Sequence, residues 1–176
     1  MSTRSTAPSP PLFVEARRFR DTLARYPSGI TVISSMDETE PVGFTCQAFY
    51  SVSLEPPLVS FSVMRTSTSY PRVRDSGHFA VNLLAEDQRH VSDQFARTGT
   101  DKWHGISWVK TPSGLPALTG TLGWIDCEIW DEHVAGDHFI VIGEVRALGS
   151  DDQARTDPLI FFDRAYRRLE HDDGPQ

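Results

Sequence analysis

Apolar positions along this chain follow two rhythms. Leu12, Ala16, Phe19 and Leu23 stand at helical spacing and predict an amphipathic helix over residues 12–25, stopped by Pro27 and Gly29. Beyond it the runs become short and β-rich, at residues 30–34, 42–46, 51–54 and 58–63, with Asp37, Glu38, Pro41, Pro56 and Pro57 marking turns between most of them. Residues 68–75 predict a short helix, with Ser69 ahead of Pro71 as its start signal. A strand follows at 78–84, then a helix at 87–96 carrying Val91 and Phe95 on one face. Residues 97–119, with their glycines, prolines, Lys102 and two tryptophans, read as irregular. Residues 122–130 alternate through Leu122, Trp124, Asp126, Glu128 and Trp130 and predict a long half-buried strand, with further strands at 138–148 and 159–162.

Many short strands, two or three helices and no alternation of strand and helix imply a mostly β, antiparallel barrel. No GxGxxG follows a strand, which disfavours a Rossmann domain, and a TIM barrel needs a longer chain. The 176 residues, 39% of them hydrophobic, suit one domain over residues 12–169. The Ser/Thr/Pro-rich residues 1–11 are expected to be disordered, and residues 170–176 to form a polar tail.

A net charge of −7 argues against nucleic acid or an anionic membrane as the main partner, though a local basic patch could still take a phosphate. No apolar run approaches the ~20 residues that span a bilayer, and MSTRSTAPSPP has no signal-peptide core, so a cytoplasmic protein is expected. Cys46 and Cys127 belong to no CxxC pair and read as two buried thiols in a reducing compartment. Neither HExxH nor a dense Cys/His cluster is present, so no metal is expected; GxSxG is also missing, which weakens a serine-nucleophile reading.

The most informative stretch is GFTCQAFYSVSLEPPL, residues 43–58. It sets Thr45, Cys46, Gln47, Ala48, Ser51, Val52 and Ser53 among aromatic and aliphatic residues. Read alone, it could be an amphipathic strand whose hydroxyls face water. It resembles the flavin-contact region of the short-chain flavin reductases, usually GMTANSFxSVSLxPPL, the reductase partners of two-component flavin monooxygenases. The chain shows Thr45-Cys46-Gln47-Ala48 where that family commonly has TANS, leaving main-chain contacts as the ones to carry over.

The same resemblance extends over about residues 13–169. Arg65-Thr66-Ser67-Thr68-Ser69 follows a strand and precedes a helix, where the family has a cation and hydroxyls; Arg65, Ser67 and Ser69 would hold a phosphate, although a plain N-cap cluster is the competing reading. FAVNLL, residues 79–84, resembles the FxVNxL strand; Asn82 would bond either the flavin or adjacent backbone, and Leu83 would reach the ring region through its main chain. DKWHG, residues 101–105, resembles the DKFxG loop and offers Lys102 to phosphate and Trp103 for stacking. Gly136-Asp137-His138 matches a GDH turn and implies that His138 stands on the nicotinamide side of the flavin, orienting NAD(P)H or stabilising charge on reduced flavin. PLIFFDRAY, residues 158–166, resembles PLxYxRGxY, with Phe162, Arg164 and Tyr166 as pocket contributors and the common glycine missing near Arg164.

The resemblance therefore implies a split β-barrel with a Greek-key core that passes hydride from NADH or NADPH to FMN or FAD. It further implies a homodimer and a separate flavin-dependent monooxygenase that receives the reduced flavin. Two other readings stay open: a split-barrel oxidase with tightly held flavin acting directly on a small molecule, and a non-catalytic flavin- or haem-binding module.

Overall fold

A computed structural model describes residues 14–150 and 157–171. Residues 1–11, expected to be disordered, lie outside the described residues, as does most of the expected C-terminal tail. The elements run α1 Ala16–Leu23, β1 Ser28–Gly29, β2 Thr31–Met36, β3 Pro41–Cys46, β4 Phe49–Leu54, β5 Pro57–Met64, α2 Tyr70–Ser76 and β6 His78–Leu83. A 3-10 turn, Glu86–Gln88, leads into α3 Arg89–Phe95. Then come β7 Trp108–Lys110, β8 Pro116–Leu118, β9 Gly123–Ala135, β10 His138–Ser150, β11 Ile160–Phe162 and β12 Ala165–Arg167.

Seven strands form one antiparallel sheet in the order β3-β2-β6-β9-β10-β5-β4. β3 and β4 stand at opposite edges of that sheet, yet only Gln47 and Ala48 separate them. Flat, seven strands would set the edges roughly 29 Å apart. The connection between Cys46 and Phe49 reaches about 11 Å at most. The sheet must therefore curl until its edges nearly meet, and it does: the Cys46 thiol at the end of β3 donates to the Ser62 carbonyl of β5 at 3.6 Å. The result is a barrel split along a seam between β3 and β5.

Two apolar clusters hold this shape. Ile33, Val42, Phe44, Val59, Phe61, Val63, Phe79, Val81, Cys127 and Val141 fill the barrel and take in Tyr70 and Val73 of α2. Ile30, Val32, Leu84, Val91, Phe95, Leu118 and Leu159 pack outside it, under α3 and the β7–β8 hairpin. β2 is buried on both faces because Ile33 serves the first cluster and Val32 the second.

Three sequence expectations change in detail. The 97–119 stretch contains the β7–β8 ribbon, because Trp108 and Leu118 pair across it and Leu118 joins the outer cluster. The strand expected at 122–130 runs on to Ala135, since β10 pairs with it along its whole length. The helix expected over 12–25 is α1 at Ala16–Leu23, with residues 12–13 outside the described residues; no α1 residue is buried, and Phe19 and Leu23 remain about half exposed.

Both cysteines are free and buried, as the sequence implied. Burial pushes the Cys46 thiol up to about 11; the Cys127 thiol rises to about 12, chiefly by burial and further by the neighbouring Asp126 charge. At pH 8 the native protein should therefore release almost no thiolate to Ellman's reagent over minutes, and two equivalents per chain in denaturant. Prompt release of one equivalent from the folded protein would contradict the burial of Cys46.

Candidate functional site

The seam opens into a cleft of about 420 Å³. One wall is the end of β3, from Phe44 to Ala48; the other is Ser62, Val63 and Met64 of β5 with the loop Thr66–Ser69 that follows. Phe95 and Ala96 at the end of α3, Thr98, Lys102 and His138 complete it. Residues distant in sequence thus meet because the barrel edges meet. α3 comes close to β3 because Gly43 has no side chain: a Cβ there would lie 2.9 Å from both the Ile33 carbonyl oxygen and Phe95 Cε1.

The phosphate-like end is the loop before α2. The Ser67 hydroxyl accepts from the Tyr70 amide at 3.2 Å, and the Ser69 hydroxyl accepts from Lys102 Nζ at 3.2 Å. Thr66 and Thr68 keep their hydroxyls free of partners among the described residues. Lys102 also donates to the Gly43 carbonyl at 3.2 Å, and no carboxylate pairs with it among the described residues. Burial alone lowers its pKa, the signature of a cation held in the protein without a counter-charge.

At the other end stands His138, at the start of β10. Its Nδ1 lies 2.7 Å from Asp137 Oδ1. The His138 hydrogen bond, with its charge second, holds the Asp137 carboxyl below the usual carboxylate range, so the carboxylate accepts and Nδ1–H donates. That leaves Nε2 as the ring nitrogen available to a ligand.

Of the residues singled out from the sequence, Thr45, Cys46, Gln47, Ala48, Ser67, Ser69, Lys102 and His138 come together in this cleft. The Thr45 hydroxyl is committed to the Ser92 carbonyl at 2.6 Å, so Thr45 fastens β3 to α3 and presents main chain to the cleft. Arg65 stands at the rim: its amide donates to the Asp137 carbonyl, and its guanidinium lies over Phe139 at 5.9 Å.

The others lie elsewhere. Ser51, Val52 and Ser53 continue along the edge strand β4, away from the cleft. Asn82 is fully buried and spent: Nδ2 donates to the Val32 carbonyl and the Ser34 hydroxyl, and Oδ1 accepts from the Leu118 amide at 2.7 Å. Leu83 lines a separate apolar groove with Leu23, Tyr26 and Tyr50. Trp103 packs edge-on against Phe95 and Trp108. Arg164 pairs with Asp21 of α1 from a left-handed backbone position (φ 61°) where glycine would be easier. Tyr166 lies behind α3, donating to Asp93 and bonding the Ser92 hydroxyl, and Phe162 is a partly exposed residue of β11.

Sequence reasoning left out Thr66 and Thr68, although they sit in the hydroxyl run it had noticed. It also left out Met64, Thr98 and the end of α3, which only packing brings to the seam.

A split antiparallel barrel, with a hydroxyl loop, an uncompensated cation and an imidazole gathered at its seam, defines a cofactor-binding barrel. Residues 23–170 match the family described as flavin reductase like domain, and the chain belongs to that family. It is 42% identical over 90% of its length to the flavin-dependent monooxygenase reductase subunit HsaB of Rhodococcus jostii, covering 80% of that protein. The crystal structure of nitrilotriacetate monooxygenase component B from Mycobacterium thermoresistibile superposes with a TM-score of 0.87 at 39% identity, covering 91% of this chain and 89% of that one. The NADH:FAD oxidoreductase SgcE6 of Streptomyces globisporus, in complex with NAD and FAD fragments, gives a TM-score of 0.83 at 29% identity, with 89% and 94% covered.

Proposed function

We propose that the protein is an NAD(P)H:flavin oxidoreductase that supplies reduced FMN or FAD to a separate monooxygenase. The observation that carries this reading is the seam cleft, where Lys102 without a carboxylate partner and the free hydroxyls of Thr66 and Thr68 face the same space as His138. The donor set fits a phosphorylated flavin: a cation and hydroxyls for the phosphate, and the chain bend at Gln47 and Ala48 beside apolar Phe44 and Val63 for a planar ring. When bound, the flavin supplies the capacity to accept hydride from a nicotinamide. The chain's own work is to hold the phosphate at Lys102, seat the ring against the end of β3 and offer the His138 Nε2 side as a polar partner, with its tautomer set by Asp137. The open, exposed seam suits a flavin that comes and goes.

The test is NADH and NADPH oxidation by the purified protein with FMN or FAD titrated in. Saturable dependence on added flavin is expected. Flavin that stays bound, with oxygen consumed on a small molecule and no nicotinamide, would favour the oxidase reading; binding without turnover would favour a carrier. His138→Ala should lower the nicotinamide-dependent rate about 10- to 100-fold while changing flavin Kd less than about threefold. Equal losses in both would remove this division of labour.

We further infer a homodimer. Val14, Phe19, Leu23 and Tyr26 on and around α1 are exposed apolar side chains, as are Tyr50, Val52 and Leu54 of β4. The groove that Leu23, Tyr26 and Tyr50 line is about 770 Å³ and shares Gln47 and Ala48 with the cleft, so a second subunit there would border the ring position. β9 lies between β6 and β10 and sends Ile125, Cys127 and Ile129 to the core, while Trp130 and Val134 stay exposed. A cytoplasmic location fits the absence, among the described residues, of any helix long and apolar enough to cross a membrane.

A further inference from the structure

The loop that carries the phosphate-suited hydroxyls is fastened at both ends to the hairpin that carries His138. At its start, Met64 of β5 pairs with His138 of β10, and the next residue, Arg65, donates its amide to the Asp137 carbonyl at 2.9 Å. At its end stands Tyr70, the first residue of α2, whose amide donates to the Ser67 hydroxyl at 3.2 Å. The Tyr70 hydroxyl points away from the loop and donates to Glu132 of β9. Glu132 takes two further hydrogen bonds from Arg74, each at 2.9 Å. Arg74 lies over the ring of Phe139, the neighbour of His138, at 4.5 Å, and the Tyr70 ring stands 5.7 Å from that same ring.

Two features separate this clasp from ordinary packing. From Trp130 to Asp137 every residue except Glu132 is exposed, so Glu132 is the point at which that arm of the hairpin holds the body of the protein. Tyr70 is 1% exposed and packs among the barrel's apolar side chains, where a phenylalanine would fill the same space. Its hydroxyl adds nothing to that packing and would be costly there without a partner. Burial, and then the Glu132 hydrogen bond, push this hydroxyl above the usual phenol range, so it stays protonated and donates.

We propose that Tyr70 is a positioning residue: through Glu132 it fixes the distance between the phosphate loop and His138, an inference that rests on the flavin reductase reading. A flavin anchored by its phosphate then presents its ring in register with the imidazole. The effect is selective, because the loop holds only a flavin that carries a phosphate.

Tyr70→Phe removes the hydroxyl, keeps the ring and leaves Glu132 both bonds from Arg74. Steady-state NADH oxidation at saturating FMN and at saturating riboflavin would compare this substitution in wild type and in His138→Ala. A misplacement of about 1 Å can cost ~100-fold in rate. With FMN, kcat should therefore fall at least about fivefold in Tyr70→Phe, while the riboflavin rate stays within about twofold. In the His138→Ala background the same substitution should change the FMN rate less than about twofold, because a residue that acts through His138 has nothing left to act on. Equal losses with FMN and riboflavin would mark a purely structural role and overturn the assignment. So would an unchanged FMN rate, or a loss that persists in full without His138. If Tyr70→Phe folds poorly, Glu132→Val removes the acceptor from outside the core and should give the same FMN-selective loss; equal losses there overturn the assignment too. An active wild type without the selective loss sinks only the role of Tyr70. A folded wild type that oxidises neither NADH nor NADPH with any flavin sinks the function as well.

Discussion

Phe61→Ala should cost about 3–5 kcal/mol of folding stability, the usual range for truncating a fully buried phenylalanine. Phe61 is 0% exposed at the centre of the barrel core. Its ring meets Phe79 edge-on at 5.0 Å, Tyr70 at 6.1 Å and Phe44 at 6.0 Å. These contacts join β5 to β3, β6 and α2, so the alanine leaves a cavity bounded by four elements that cannot all move in to fill it. Against a typical total of ~5–15 kcal/mol, that is roughly a fifth or more of the molecule's stability. Denaturant titration should show a lower midpoint with an unchanged slope. Phe61 also neighbours Ser62 and Val63 on the cleft wall, so flavin affinity should fall in the same variant. A loss below about 1.5 kcal/mol would mean that this side chain is not at the centre of the core.

Lys102→Met should weaken FMN binding by about 10- to 100-fold and leave riboflavin, which has no phosphate, within about twofold. Hydrogen bonds to charged groups contribute ~1.5–3 kcal/mol, and each 1.4 kcal/mol is a factor of ten. Lys102 is suited to the task because no carboxylate neutralises it among the described residues and its two partners, the Gly43 carbonyl and the Ser69 hydroxyl, hold Nζ at the cleft wall. Methionine keeps the apolar stem and removes the charge. Arg65→Ala should have the same selectivity but a smaller effect, since Arg65 lies at the rim over Phe139 and off the cleft lining. Equal weakening of FMN and riboflavin by Lys102→Met would take Lys102 out of the phosphate site.

These two residues also show how unevenly the molecule could be read beforehand. Lys102 was noticed through a local motif, as were the hydroxyls before α2 and His138, and all of these come to the cleft. Asn82 was noticed just as readily, as a polar break in an apolar strand. Yet β6 lies two strands in from the seam edge, and its amide is used up by Val32, Ser34 and Leu118. Tyr166 and Arg164 fall in the same class: the chain end returns to α1 and the back of α3, where they bond Asp93 and Asp21. In each case a polar residue needed a partner, and the sequence could say so without saying which partner.

The sequence by itself determined the strand-rich architecture, the antiparallel character, the buried reduced cysteines and the chemistry of each local motif. Those properties depend on side-chain alternation, turn residues and hydroxyl or cation content within a few positions, all of which are local. The tertiary structure decided which motifs share a space. Barrel closure brings β3 beside β5, glycine at position 43 lets α3 approach, and Lys102 reaches the Ser69 hydroxyl at the cleft wall. Such juxtapositions join residues tens of positions apart, and the free energy that selects them belongs to the packed core as a whole rather than to any segment.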